Sequence, residues 1–157
     1  MIRKIIERIL EFPSAYSALG RIVTLFDPDT VSDALTGVLK APVSTALEVG
    51  CGPKRSKISQ QAEEVVCIDI NSRYLVTIRE SGAFVVQSSA TQLPFPGRTF
   101  DSCFCSALLH HLSDDDLSST VQEMLRVLRV NGQIIIFEYV LPNRFVDAPL
   151  AWITCKL

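Results

Sequence analysis

Apolar residues fall into two regimes along this chain, and the change comes near Ser44. Before it, Ile2, Ile5, Ile6, Ile9 and Leu10 recur at helical spacing, with Arg3, Lys4, Glu7, Arg8 and Glu11 between them. That pattern predicts an amphipathic helix. Its polar face carries both signs of charge, which suits packing on a protein core better than lying on a membrane. Pro13 interrupts it, further helical patterns run over about 16–26 and 30–39, and Pro42 closes the stretch. Residues 1–43 therefore read as a helical cap on a single domain rather than a domain of their own.

From Ser44 onward, short apolar runs alternate with helical patterns. Strands are predicted at about 45–49, 65–70, 84–87, 101–106 and 133–140. The segment 55–64 offers only Ile58 and Ala62 as apolar anchors, so its helix should be short. Asn71 is a good N-cap for a helix whose face is Tyr74, Leu75 and Ile78, and Gly82 stops it. Leu93-Pro94-Phe95-Pro96-Gly97 is a loop. Ser113 and Asp116 have the spacing of a capping box, and the acids 114–116 suit a helix N-terminus. That helix carries Leu117, Val121, Met124, Leu125 and Leu128, and Asn131-Gly132 is expected to end it. Alternation of this kind predicts an α/β fold, a parallel sheet covered by helices on both faces. Residues 44–140 form its core.

The densest chemistry sits at the first strand. Thr45-Ala46-Leu47-Glu48-Val49-Gly50-Cys51-Gly52 is an apolar run ending in two glycines, a buried strand meeting a tight turn. Glycine removes the Cβ where a backbone turns sharply or lets a ligand approach. The next strand, Val65-Val66-Cys67-Ile68-Asp69, ends in a carboxylate. The interval from Gly50 to Asp69 is close to the roughly 20 residues of a nucleoside-binding βαβ unit, in which the acid takes ribose hydroxyls. An adenosine-containing cofactor is the first expectation.

Composition narrows the alternatives. The 157 residues are 48% hydrophobic, and the formal net charge is -2. The mean hydropathy is +0.28 and the isoelectric point about 5.7. No basic tract favours nucleic acid as a partner. No apolar run approaches the roughly 20 residues that span a bilayer, and the N-terminus lacks the segregated charges and cleavage site of a signal peptide. Five cysteines (Cys51, Cys67, Cys103, Cys105, Cys155), mostly in apparent strands or turns, point to a reducing, cytoplasmic setting in which thiols act as small hydrophobes. Cys103 and Cys105 should face the same side of one strand. No second Cys/His pair stands at zinc spacing, and Asp114-Asp115-Asp116 reads as a helix cap, so no metal is expected.

Five blocks in order resemble the class I S-adenosylmethionine-dependent methyltransferases, in particular their small-molecule branch. They are Leu-Glu-Val-Gly-Cys-Gly (47–52), Val-Val-Cys-Ile-Asp-Ile-Asn (65–71), Leu-Pro-Phe-Pro (93–96), Phe-Asp-Ser-Cys-Phe-Cys-Ser-Ala-Leu-Leu-His-His-Leu (100–112) and Met-Leu-Arg-Val-Leu-Arg-Val-Asn-Gly (124–132). The resemblance implies a Rossmann-like, doubly wound, mainly parallel sheet in a three-layer αβα arrangement. It implies S-adenosylmethionine as cofactor, leaving as S-adenosylhomocysteine. By position, Glu48, Gly50, Cys51 and Gly52 would line its methionine and ribose part, and Asp69 would hold the ribose hydroxyls. Ile70 would flank the adenine, Ser89 and Ala90 would meet the adenine edge, and Ser106 would lie beside the sulfonium.

The chain departs from that family in four places. Lys54 stands for the third glycine of the loop, where it would either crowd the cofactor or pair with its carboxylate. Ser89 stands for the acid that grips the adenine amine. Val130-Asn131-Gly132 replaces Pro-Gly-Gly. The antiparallel strand pair that normally follows the fifth strand is missing, so residues 141–157 read as a truncated C-terminal segment. The uncovered edge at Ile134, Ile135, Ile136 and Phe137 would invite dimerisation.

The expected reaction is methyl transfer to a small-molecule acceptor by in-line displacement, driven chiefly by alignment and exclusion of water. His110 and His111, the only histidines, follow the fourth strand and are the candidates for a general base if one is used. Two other readings stand beside this one: a non-catalytic cofactor-binding or scaffold protein of the same fold, favoured by Lys54 and Ser89, and an NAD-dependent oxidoreductase.

Overall fold

A computed structural model describes residues 11–15 and 43–138. Apart from residues 11–15 and Val43, the helical cap lies outside that range, as do residues 139–157 with Cys155 and the expectations made for them. Five strands form one parallel sheet: β1 (Val43–Val49), β2 (Ala62–Asp69), β3 (Phe84–Gln87), β4 (Phe100–Ser106) and β5 (Leu128–Phe137), in the order β3-β2-β1-β4-β5. The order reverses between β1 and β4, and open α/β sheets bind their ligands beyond the strand ends at such a point. Among the described residues, no helix is long and apolar enough to cross a membrane.

Side chains of β1 alternate between two apolar layers. Ala46 joins Val65, Cys67, Phe104, Leu75 and Ile78 on one face. Leu47 and Val49 join Ile68, Cys103, Cys105, Met124 and Val127 on the other. The two helices α1 (Ser72–Glu80) and α2 (Asp114–Val127) thus cover opposite faces, giving the expected three layers. Cys103 and Cys105 share a face, as their spacing predicts. Both thiols are pushed up by burial and stay protonated as packing groups.

The helix ends follow local chemistry. Asn71 Oδ1 accepts the Arg73 N–H at 3.0 Å at the start of α1, and Gly82 leaves it at φ +82°. Ser113 Oγ accepts the Asp116 N–H at 3.2 Å at the start of α2, with Asp114, Asp115 and Asp116 in its first turn.

Three boundaries differ from expectation. The segment between β1 and β2 holds only a 3-10 turn, Ser59–Gln61, and β2 already begins at Ala62. Ile70 falls just outside β2. Helix α2 stops at Val127 rather than at Asn131-Gly132, because Leu128 already pairs with Phe100 in the sheet. The Asn-Gly pair instead marks the irregularity that follows, where the register with β4 shifts between Phe100 and Ser102 and Asn131 takes φ +67°. A Cβ on Gly132 would lie 2.9 Å from the Arg129 carbonyl oxygen and 3.0 Å from that of Asp101, so the position needs glycine.

Candidate functional site

Beyond the ends of β1, β2 and β4 lies a cavity of about 100 Å³, lined by Gly50, Ile68, Asp69, Ile70, Ser88, Ser89, Ala90, Thr91, Leu108 and Leu112. Five of the residues expected from the sequence (Gly50, Asp69, Ile70, Ser89, Ala90) come together here from three separate segments.

The glycine turn is built around Asp69. Gly50 and Gly52 both take left-handed φ values, +67° and +62°. This aims the Gly52 N–H at Asp69 Oδ2, 2.9 Å away, while Asn71 N donates to Oδ1 at 2.8 Å. Burial raises the Asp69 carboxyl above its ordinary range, against the opposing pull of the Asn71, Gly52 and Ile70 amides. A carboxylate offers about four acceptor sites, so these three amides leave room for a ligand hydroxyl. Above Gly52, nothing among the described residues lies within 4 Å of where a Cβ would stand. Above Gly50, by contrast, a Cβ would lie 2.7 Å from Leu108 Cδ1. Leu108 therefore takes up space at the turn, and the cavity is smaller than the roughly 300 Å³ at which small-molecule sites begin. Its obstacle is the end of a flexible side chain, not backbone.

Ile70 is 73% exposed and offers an apolar wall at the rim. Ser89 Oγ is engaged locally, 2.8 Å from Thr91 Oγ1 and 3.2 Å from the Thr91 N–H it accepts. Lys54 is exposed.

Glu48, Cys51, Gly52, Ser106, His110 and His111 lie outside the cavity lining. Glu48 is only 3% exposed, on the Cys67 and Phe104 face of the sheet. Burial pushes its carboxyl up to about 7, against hydrogen bonds from Ser56, Cys67 and Ser59. The Cys67 Sγ donates to Glu48 Oε2 at 3.7 Å. Cys51 is buried in the same layer, its N–H donating to the Ile68 carbonyl at 3.0 Å. Ser106 ends β4, paired with Phe137 of β5.

The turn after β4 carries the histidines. His110 Nδ1 lies 2.8 Å from Glu138 Oε2, and the His111 ring tilts against the His110 ring at 3.9 Å between centroids. Desolvation and the neighbouring His110 lower the His111 pKa, and the Glu138 charge opposes them. Sequence reading assigned no role to Leu108, Leu112 or Glu138. For Glu138 a signal was available: it is a lone acid at the carboxyl end of a parallel strand, where ligand-edge residues stand.

A family profile described as "Methyltransferase domain" matches residues 47–136, more than half of the chain. The fold and strand-end site define the class, and the chain belongs to this methyltransferase-domain family. Among curated relatives, it is similar to the ubiquinone/menaquinone biosynthesis C-methyltransferase UbiE of Saccharophagus degradans. The two are 33% identical over 113 residues, covering 66% of this chain and 45% of the relative. The chain thus spans less than half the length of that relative. Among solved structures, it is similar to an S-adenosylmethionine-dependent methyltransferase of Thermotoga maritima, described as a possible histamine N-methyltransferase. There the TM-score is 0.68 at 22% identity, covering 82% of this chain and 59% of the other. It is also similar to S-adenosylmethionine-bound CalS10, an amino pentose methyltransferase of Micromonospora echinaspora, with a TM-score of 0.61 at 20% identity over 74% of this chain and 51% of that one. At these identities the structural likenesses establish the fold.

Proposed function

We propose that this chain binds S-adenosylmethionine at the cavity between β1, β2 and β4 and serves methyl transfer to a small-molecule acceptor. The observation that carries the reading is Asp69: its carboxylate is held by the Gly52 amide of the left-handed turn and faces the same cavity as Gly50 and Ala90. When bound, S-adenosylmethionine supplies a methyl group on a cationic sulfur. Asp69 would take the ribose hydroxyls, Ile70 and Ala90 would flank the adenine, and Ser89 would meet its edge. Gly50 and Gly52 would let the ligand approach the backbone once Leu108 turns aside. Glu48 and Cys51 would support the turn from beneath, and Ser106 would stand at the reacting end. His110 is the proposed acceptor of the proton that the methyl acceptor loses, with the His111 ring tilted against it.

The dinucleotide alternative loses support at the segment after Gly52. A pyrophosphate needs the N-terminus of a helix there, and only a 3-10 turn of 3 residues follows. Calorimetric titration with S-adenosylmethionine and with NAD separates the two. Saturable heat with the first alone supports the proposal, and heat with NAD alone removes it. Beside Lys54 and Ser89, Leu108 lying over Gly50 favours the non-catalytic reading. Methyl release on a panel of small acceptors distinguishes it from an enzyme.

β5 stands last in the strand order of the described residues, and its exposed Ile136 suits association of two copies. Light scattering over a concentration series tests this. A dimer fraction that grows with concentration supports pairing, and a monomer throughout removes it.

A further inference from the structure

We propose that Glu138 is the positioning residue of this site: from the end of β5 it fixes the turn after β4 and the tautomer of His110, placing the imidazole lone pair on Nε2. The inference rests on the reading of His110 as proton acceptor given above, and it lies outside the family match, which ends at residue 136.

The turn after β4 is not held by its own sequence. Ala107 takes φ +54°, a left-handed conformation that is unfavourable for a residue with a Cβ. Such strain persists only where surrounding bonds over-determine it. Here they come from β5. The Ala107 N–H donates to the Phe137 carbonyl at 2.9 Å. The next two amides, Leu108 and Leu109, both donate to Glu138 Oε1, at 2.8 and 2.6 Å. Successive amides converging on one oxygen make a backbone nest for an anion, and the anion is a side chain of the same protein. The other oxygen, Oε2, faces His110 Nδ1 at 2.8 Å.

The two oxygens therefore divide the work. Oε1 sets the course of the segment whose Leu108 and Leu112 line the cavity. Oε2 decides the state of the ring. A carboxylate only accepts hydrogen bonds, so Nδ1 must carry the hydrogen, and in the neutral imidazole the lone pair falls to Nε2. The bonds from His110, Leu109 and Leu108 outweigh the burial that would otherwise raise the Glu138 pKa, and the group stays ionised. Both side chains are largely shielded, at 18% and 21% exposure, which strengthens the pairing. In the reaction, the proton leaving the acceptor would bond to Nε2 as the methyl group leaves sulfur for the acceptor. The positive charge would then rest on an imidazolium facing the Glu138 carboxylate.

Replacing the carboxylate by an amide tests the division directly. In Glu138→Gln, the single oxygen is claimed by the Leu108 and Leu109 amides, and the NH₂ group faces Nδ1. The ring must then accept at Nδ1 and carry its hydrogen on Nε2. Long-range proton–nitrogen NMR of histidine-labelled protein, recorded at alkaline pH, reads this tautomer. His111→Gln assigns the two rings. The expected result is a predominantly Nδ1–H ring for His110 in the wild type and a predominantly Nε2–H ring in Glu138→Gln. Amide exchange at Leu108 and Leu109 should also speed up roughly tenfold or more in Glu138→Ala, the scale of a lost charged hydrogen bond. An Nε2–H ring in the wild type overturns the proposal without any variant, and so does a tautomer that Glu138→Gln leaves unchanged. Failure of the wild type to bind S-adenosylhomocysteine in calorimetry would instead overturn the cofactor reading on which the proposal rests.

Discussion

Glu48 sits where water does not reach, and its charge is the residue-scale feature with the plainest consequence. Its folded pKa of about 7 lies above the ordinary 4.5, so the native state binds the proton more tightly than the unfolded chain does. The stability this group contributes is full below the unfolded value and is lost as pH rises through about 7. At about 1.4 kcal/mol per pKa unit, the loss is on the order of 3 kcal/mol. Urea denaturation of wild type and Glu48→Gln at about pH 5 and about pH 8 isolates it, because the other titrating groups cancel in the difference. The variant should gain relative to wild type at the higher pH. An unchanged difference would mean that the carboxylate is solvated. The sequence showed the acid but not its surroundings. Strands of a parallel sheet are apolar on both faces, so no alternation told which face Glu48 occupies. Glu138 was missed for a related reason: it ends an apolar run, and its partners Leu108, Leu109 and His110 come from a distant segment.

At the scale of elements, the 93–97 loop shows how a helix serves the site from the far side. Arg126 near the end of α2 donates to the carbonyls of Phe95 at 2.8 Å and Leu93 at 3.0 Å, and Glu123 Oε2 accepts the Leu93 N–H at 2.7 Å. Arg126 also donates to both Glu123 oxygens, at 2.6 and 2.8 Å. The loop that follows the Ser88–Thr91 wall of the cavity is thereby tied to α2. Arg126→Ala should cost about 1–2 kcal/mol, reduced from the full worth of charged hydrogen bonds by exposure. Amide exchange at Leu93 should quicken in the variant, and unaltered exchange there would show that the loop holds itself. The caps at Asn71 and Ser113 were legible because a cap is written in adjacent residues. The end of α2 was not. Asn131-Gly132 is a valid local stop signal, but pairing of Leu128 with Phe100 draws the chain into the sheet earlier. Leu125, read as part of the apolar face, is 55% exposed, since the buried stripe runs through Thr120, Met124 and Val127.

For the whole molecule, alternation of strands and helices was enough to give the parallel sheet and its two helical layers. The order β3-β2-β1-β4-β5 then brings Gly50, Asp69, Ser89 and Ala90 to one edge, as the family resemblance implied. What the sequence did not carry was the filling of that edge. Leu108 over Gly50 and Glu138 under the histidine turn depend on how the ends of β4 and β5 meet in space. The central claim is that Asp69 and the glycine turn bind S-adenosylmethionine. Calorimetric titration of the 157-residue chain with S-adenosylhomocysteine, beside a folded Asp69→Ala variant, tests it most directly. The account predicts saturable binding by the wild type, weakened in the variant by roughly 1.5–3 kcal/mol, the worth of hydrogen bonds to a charged group. Absence of binding by the wild type, or equal affinity in a folded Asp69→Ala, would contradict it.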